Sequence, residues 1–283
     1  MISIAIPDSM FLADDTLRDK TLKVGEVARS AAIFGVERIY IYRDASRNYD
    51  SNYETARLIL EYANTPQYLR KRLIGKRKEL ESVGLLPPLR TPNHTREPVP
   101  KLGEFRDGVV FSQNGELVVD LGAKEFAILE GRGQEGQRLT FQVMSLKPLS
   151  AKVTQRPEDT YWGYEVRRAP SLARFLRSAN FDTTIFTSRL GQQITECWVD
   201  FCKTCKTSQK TLLCFGSPDA GVDKMLKQDG AKVSDFDALY LNMFPMQNSE
   251  TIRLEEALLG SLAILNVVMK LGTVKRNSDE LTV

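Results

Sequence analysis

Residues 2 to 6, ISIAI, are apolar throughout except for one serine and stop at Pro7, which is the pattern of a buried strand. The following stretch, DDTLRDKTLKVGEVARSAAIFGV, sets Leu17, Val24, Val27, Ala28 and Ala31 at helical spacing behind acidic N-cap candidates, and RIYIY then reads as a second strand. A helix of that length between two strands favours a parallel sheet. Helices are predicted over 51–63 and 67–82. From residue 88 the texture changes to PPLRTPNHTREPVPKLGE, a proline-rich linker in which helix is disfavoured. Short alternating segments come next. GVVFSQNGELVVDLG is a hairpin with Asn114 and Gly115 at its turn, and EFAILEG, RLTFQVMSL and SAKVTQ continue the alternation. About five short strands in roughly sixty residues predict a small barrel, with the oligonucleotide-binding (OB) type as the natural form, inserted within an α/β chain. After YWGYEVRRAPSLARFL the α/β texture returns with strands at TTIFTS, TLLCFG and ALYLNMF. Each of them ends in a turn of small or polar residues: TSRLGQ, FGSPDAG and NMFPMQNSET. Ligands of parallel sheets bind beyond the carboxyl ends of the strands, so these turns are expected to form one pocket. The expected division is an α/β part at 1–90, a barrel at 91–161 and a second α/β part at 162–283.

Composition narrows the class. The chain has 283 residues, 42% hydrophobic and 27% charged, as a soluble protein of one large or two medium domains would. A net charge of +3 decides nothing about partners by itself, whereas its distribution does. YLRKRLIGKRKEL places Arg70, Lys71, Arg72, Lys76, Arg77 and Lys78 on one short stretch expected to be helical. Such a run is either a solvated face or a phosphate-binding surface, and a small barrel in the same chain tips the choice toward nucleic acid. No apolar run reaches the length of a membrane span and the N-terminus lacks the features of a signal peptide, so the chain reads as cytoplasmic. The cysteines are Cys197, Cys202, Cys205 and Cys214, and the only histidine, His94, lies far from them. Zinc takes four such ligands, so reduced cysteines on a helix, or an incidental disulfide, are expected and no metal.

Several motifs fail on context. GRGQEG, residues 131–136, has the spacing of a dinucleotide fingerprint but runs into an alternating strand instead of a helix, which makes it a barrel loop and removes the support for a nucleotide-dependent oxidoreductase. GSPDAG, residues 216–221, has P-loop glycine spacing, yet Val222 and Asp223 stand where Lys and Ser/Thr have to bind phosphate and magnesium. A hydrolytic triad has no credible histidine. In NMFPMQNSETIRLEEALLGSLAILN a polar turn leads into a very apolar helix with Arg253 at its start, where the helix dipole disfavours a cation. Either Glu250 or Glu256, three residues away on each side, pairs with it, or an anionic ligand does.

SIAIPDS, LRDKTLKVGEVARSAAIFGVERIYIYRD, TPQYLRKRL, GLLPPLRTPNH, YWGYEVR, FTSRLGQ, LCFGSPDAG and NMFPMQNSETIRLEEALLGSLAILN together resemble the archaeal and eukaryotic family of RNA methyltransferases of the SPOUT class. The resemblance implies a parallel α/β sheet whose C-terminal segment forms a trefoil knot, an OB-like insertion, a homodimer, and S-adenosylmethionine held by the three knot loops. Carried over by motif, the cofactor-binding residues are Thr187, Ser188, Arg189 and Gly191 in the first loop, Gly216 and Gly221 in the second, and Asn242, Pro245, Gln247, Thr251 and Ala257 in the third. Asn248 stands where the family usually has glycine, and asparagine tolerates a left-handed conformation there. The implied activity is methyl transfer to a nucleotide of structured RNA, ribosomal or transfer, with Arg189 and Arg253 as candidates for holding the target and the six basic residues at 70–78 as the RNA contact. No residue is identified as a base, which leaves a non-catalytic RNA-binding or assembly protein of the same fold as the competing reading.

Overall fold

β1 (Ile2–Pro7) is buried from Ser3 onward on both faces, so it has to lie within a sheet that is covered on each side. The structure is a computed structural model that describes residues 1–270 apart from Arg47 and Arg96, and residues 271–283, the end of the expected third segment, lie outside the described residues. α1 (Leu17–Ile33) follows β1 and leads into β2 (Val36–Arg43). Its N-cap is Thr16 and not one of the acidic residues expected there: the hydroxyl accepts the Asp19 N–H at 3.1 Å. α2 (Asp50–Asn64) matches the helix expected at 51–63.

Two compact units divide inside α2, one comprising Met1–Arg57 with the chain from Glu165 onward and the other Leu58–Tyr164. In the second unit α3 (Gln67–Leu73) is much shorter than the helix expected at 67–82. It stops at Ile74 because Gly75 takes a φ of +65°, and only single 3-10 turns follow at Lys78–Leu80 and Val83–Leu85. Arg70, Lys71 and Arg72 therefore lie on α3, whereas Lys76, Arg77 and Lys78 lie beyond its end. β3 (Phe105–Gln113), β4 (Glu116–Asp120), β5 (Ala127–Glu130), β6 (Arg138–Leu146) and β7 (Leu149–Thr154) form a closed barrel in the order β3-β4-β5-β7-β6. The predicted hairpin turn is present, with φ of 53° at Asn114 and 85° at Gly115, and GRGQEG is the β5–β6 loop. Beside the barrel core, the buried Asp107 carboxylate accepts from Arg138 at 2.6 Å and from the Trp162 indole at 2.7 Å, so its charge is fully answered.

The first unit resumes with β8 (Glu165–Ser171), a strand with no clear sequence signal: its Glu165, Arg167 and Arg168 suit an exposed edge and hide the alternation. α4 (Leu172–Ser178), β9 (Thr183–Gln193), α5 (Trp198–Thr207), β10 (Thr211–Cys214), α6 (Val222–Gln228), β11 (Leu239–Asn242) and α7 (Leu254–Lys270) complete it. The sheet order is β11-β9-β10-β1-β2-β8 and every neighbouring pair is parallel, as the strand–helix–strand pattern predicts. All four cysteines are free, with Cys202 and Cys205 on α5.

At the carboxyl ends of β1 and β2, Asp8 is only 2% exposed and accepts the Asp44 N–H at 2.9 Å. Burial and the neighbouring Asp44 carboxylate push its pKa up to about 6, outweighing that hydrogen bond and the Arg168 charge. A carboxyl raised in the folded state favours folding while protonated, and that advantage is lost as the pH rises through about 6. Asp8→Asn keeps the acceptor without the charge. It should stabilise the protein at pH ~7.5 by on the order of 2 kcal/mol in urea denaturation, with the gain vanishing near pH ~4.

Candidate active site

β9 and β11 pair in two pieces. Leu239 and Tyr240 oppose Ile185 and Phe186, after which the register jumps and Leu241 and Asn242 oppose Gln192 and Gln193. Thr187 to Gly191, still within β9, thus have no partner on β11 and bulge out as the first loop. The chains come close where pairing resumes: a β-carbon on Gly191 would lie 2.6–2.8 Å from the backbone C, N and Cα of Leu241. Glycine is needed there for backbone-to-backbone contact, and Gly191 does not line the cavity beyond it.

The second loop is a tight turn. The Ser217 N–H bonds the Ala220 carbonyl at 2.8 Å, and a β-carbon on Gly216 would meet that same oxygen at 2.4 Å. Phe215 is anchored from below by the buried Tyr42 hydroxyl, which donates to its carbonyl at 2.7 Å. In the third loop the left-handed residue is Met246, with φ of 56°, and Asn248 is not the one that takes positive φ. α7 then passes Phe244 so closely that a β-carbon on Gly260 would touch the ring at 2.5 Å.

These loops border a cavity of about 980 Å³. Thr187, Ser188, Arg189, Gly216, Gly221, Asn242, Gln247, Thr251 and Ala257 all line it, as does Arg253, while Pro245 and Gly191 do not. Most of the polar side chains among them are occupied in holding loops together. Thr187 Oγ1 donates to the Cys214 carbonyl at 3.0 Å and the Gln247 amide to the Ser249 carbonyl at 2.9 Å. The Arg189 guanidinium donates to the Glu250 carbonyl at 3.0 Å, and the Asn242 amide returns a bond to the Arg189 carbonyl at 3.4 Å. The Tyr240 hydroxyl donates to Ser188 Oγ at 2.9 Å, and its pKa is raised chiefly by burial. What these loops offer a ligand is therefore mostly backbone, held in place by side chains.

Arg253 pairs with neither neighbouring acid. Glu256 instead accepts the backbone N–H of Arg253 at 2.8 Å, which is half of a capping box, and Glu255 and Glu256 put negative charge in the first turn of α7. A misplaced cation costs about 0.3–1 kcal/mol and two acids in the same turn offset it, leaving the exposed guanidinium without an ion pair among the described residues.

The far wall comes from the β1–α1 connection and α1, with Asp14, Asp19, Lys23 and Glu26, and sequence reasoning missed it. The only signal was the buried lysine at an apolar-face spacing, next to Val24. Lys23 Nζ lies 2.5 Å from Asp14 Oδ2, 3.2 Å from the Met10 carbonyl and 4.0 Å from Glu255 Oε2. No group of three or more His, Cys, Asp or Glu residues that could hold a metal occurs among the described residues.

Across residues 1–265 the sequence matches the family model described as "Putative RNA methyltransferase". The chain belongs to that family. An uncharacterized protein of Haloarcula marismortui is 34% identical to this methyltransferase family member over 94% of this chain and 98% of its own. The 28S rRNA (uridine-N(3))-methyltransferase of Homo sapiens is 30% identical over 93% of this chain and 77% of its own. A solved structure of a "putative methylase family protein" from Neisseria gonorrhoeae aligns with 96% of this chain and 82% of that chain, at 11% identity and a TM-score of 0.37, too low to carry weight.

Of the six basic residues at 70–78, two are engaged within their own unit. Arg70 donates to the Thr65 carbonyl at 2.9 Å and covers the Tyr62 ring at 4.3 Å. Arg72 pairs with Asp120 at 2.8 Å and covers Phe111 at 3.8 Å. Lys71, Lys76, Arg77 and Lys78 are exposed and without a carboxylate partner among the described residues.

Gly191→Ala should destabilise the first unit by about 3 kcal/mol, because neither backbone can give way. Urea denaturation measures the loss. Full stability in this variant would mean that the two chains are not in contact there.

Proposed function

We propose that this family member is an S-adenosylmethionine-dependent methyltransferase that modifies N3 of a uridine in structured ribosomal RNA. The observation that carries the reading is the convergence of three loops, one bulging from the carboxyl half of β9 and two following β10 and β11, on one cavity within a chain of the RNA methyltransferase family. The target type is taken from the curated name of the human relative. A volume of about 980 Å³ suits a nucleoside-sized ligand with room left for a target base, and backbone groups of the three loops are the donors and acceptors such a ligand needs. When bound, S-adenosylmethionine supplies an electrophilic methyl on a sulfonium. The protein's part is to hold that group through Thr187, Ser188, Arg189, Gly216, Gly221, Asn242, Gln247, Thr251 and Ala257, and to align the target base against it.

The finer architecture belongs to the same proposal. The passage of β11 across Gly191 to the outer side of β9, followed by α7, supports a knotted C-terminal segment. The barrel order β3-β4-β5-β7-β6, with β5 and β7 parallel, supports an OB-type insertion. Exposed Leu190, Val199, Met246 and Leu259 on the first unit supply apolar surface for a homodimer. Lys71, Lys76, Arg77 and Lys78 are the proposed RNA contact, with Arg70 and Arg72 shaping that surface. None of the described helices is long and apolar enough to cross a membrane, which accords with a cytoplasmic place of action.

Calorimetric titration with S-adenosylmethionine should give one site per chain, lost in Gly216→Val because the turn has no room for a side chain. Arg189→Ala should keep the fold but lose at least about tenfold in labelled-methyl transfer to ribosomal RNA, since the strap to Glu250 goes with it. Cofactor binding without any transfer by the unaltered protein would favour the RNA-binding reading instead.

A further inference from the structure

Uridine N3 carries a proton, and its lone electron pair is tied into the ring carbonyls. Methylating it forms an N–C bond, breaks the S–C bond to leave a neutral thioether, and releases that proton, which needs an acceptor in the site. We infer that Glu255 is this acceptor, with Lys23 and Asp14 positioning it. The inference rests on the proposed uridine-N3 reaction. It balances in charge: sulfonium and carboxylate are consumed together, giving a neutral thioether, a neutral carboxylic acid and the methylated base.

The other carboxylates of the cavity are spoken for or open to water. Asp19 accepts the Thr16 hydroxyl at 2.6 Å in the α1 cap, and Asp223 stands partly exposed in the first turn of α6. Glu26 and Glu250 are exposed. Asp14 lies 2.5 Å from Lys23 Nζ, close enough to answer that ammonium by itself. Glu255 is as buried as Asp14, whose Oδ2 likewise accepts no hydrogen bond, and differs from it in standing farther from the ammonium. It lines the cavity from the first turn of α7 with its side chain 14% exposed, and its Oε2 is buried 4.0 Å from Lys23 Nζ and accepts no hydrogen bond. One ammonium between two carboxylates leaves a net negative charge, and the looser distance assigns that charge to Glu255. A buried lysine is retained only where it is paired. Here Lys23 also binds the Met10 carbonyl at 3.2 Å, which holds it on the β1–α1 connection with its ammonium turned to both acids. Glu255 lines the same cavity as Arg253 and Ala257, to which target and cofactor are assigned.

Glu255→Gln and Glu255→Ala separate this role from a structural one. The RNA is total ribosomal RNA from cells lacking the gene, and N3-methyluridine is read by mass spectrometry of nucleosides under single-turnover conditions. Calorimetry with S-adenosylhomocysteine should give the unaltered affinity, within about threefold, for Glu255→Gln, while its transfer rate falls by at least about a hundredfold. Added formate should restore part of the rate to Glu255→Ala, which a merely structural defect does not allow. A full rate in Glu255→Gln, or equal losses of binding and rate with no response to formate, would overturn the assignment. Failure of the unaltered protein to make N3-methyluridine would instead overturn the reaction on which it rests.

Discussion

Gly191 and Leu241 meet backbone to backbone, and the cavity exists because of that contact. Two parallel strands cannot pair through a stretch where one is longer than the other without expelling the excess. β11 pairs with β9 at Phe186 and again at Gln192, so Thr187 to Gly191 have to leave the ladder, and the carboxyl end of the sheet is where they go. The third loop is fixed by the same contact: the Asn242 carbonyl accepts the Ile194 N–H at 3.0 Å, and the chain turns from there toward α7. Any side chain at 191 would push β11 away, and two of the three cavity loops would lose their anchor together.

Electrostatics follows the same geometry. The polar side chains that sequence motifs single out mostly bind other loops: Arg189 holds the third loop from the first, and Ser188 holds β11 through Tyr240. Such interloop bonds contribute about 1 kcal/mol each, more for the guanidinium, and their effect is to fix backbone groups in advance of a ligand. Charge enters from the opposite wall. Buried Lys23 with Asp14 and Glu255 joins the β1–α1 connection to the start of α7, so the two ends of the α/β unit meet at the cavity.

Much of this was legible beforehand. Apolar runs ended by turn residues located β1, β2, β9, β10 and β11, and the Asn114–Gly115 turn located the barrel hairpin, because each signal is local. The misses are equally physical. The basic residues continue past Gly75 and predict a longer α3, whereas the backbone at that glycine is left-handed. β8 was invisible because an edge strand tolerates Arg167 and Arg168. Met246 takes the positive φ in place of Asn248 because the third loop is shaped by its anchors at Asn242 and Glu250 and not by local preference. The α1 wall could not be read from spacing at all, since Lys23 meets Glu255 only through the sheet order that brings α1 beside α7.

The central claim is that this cavity serves methylation of uridine N3 in ribosomal RNA, and comparing ribosomal RNA from cells with and without the gene tests it most directly. Nucleoside mass spectrometry followed by primer-extension mapping should show one N3-methyluridine present with the gene and absent without it. Identical N3-methyluridine content at every position in both samples would contradict the account.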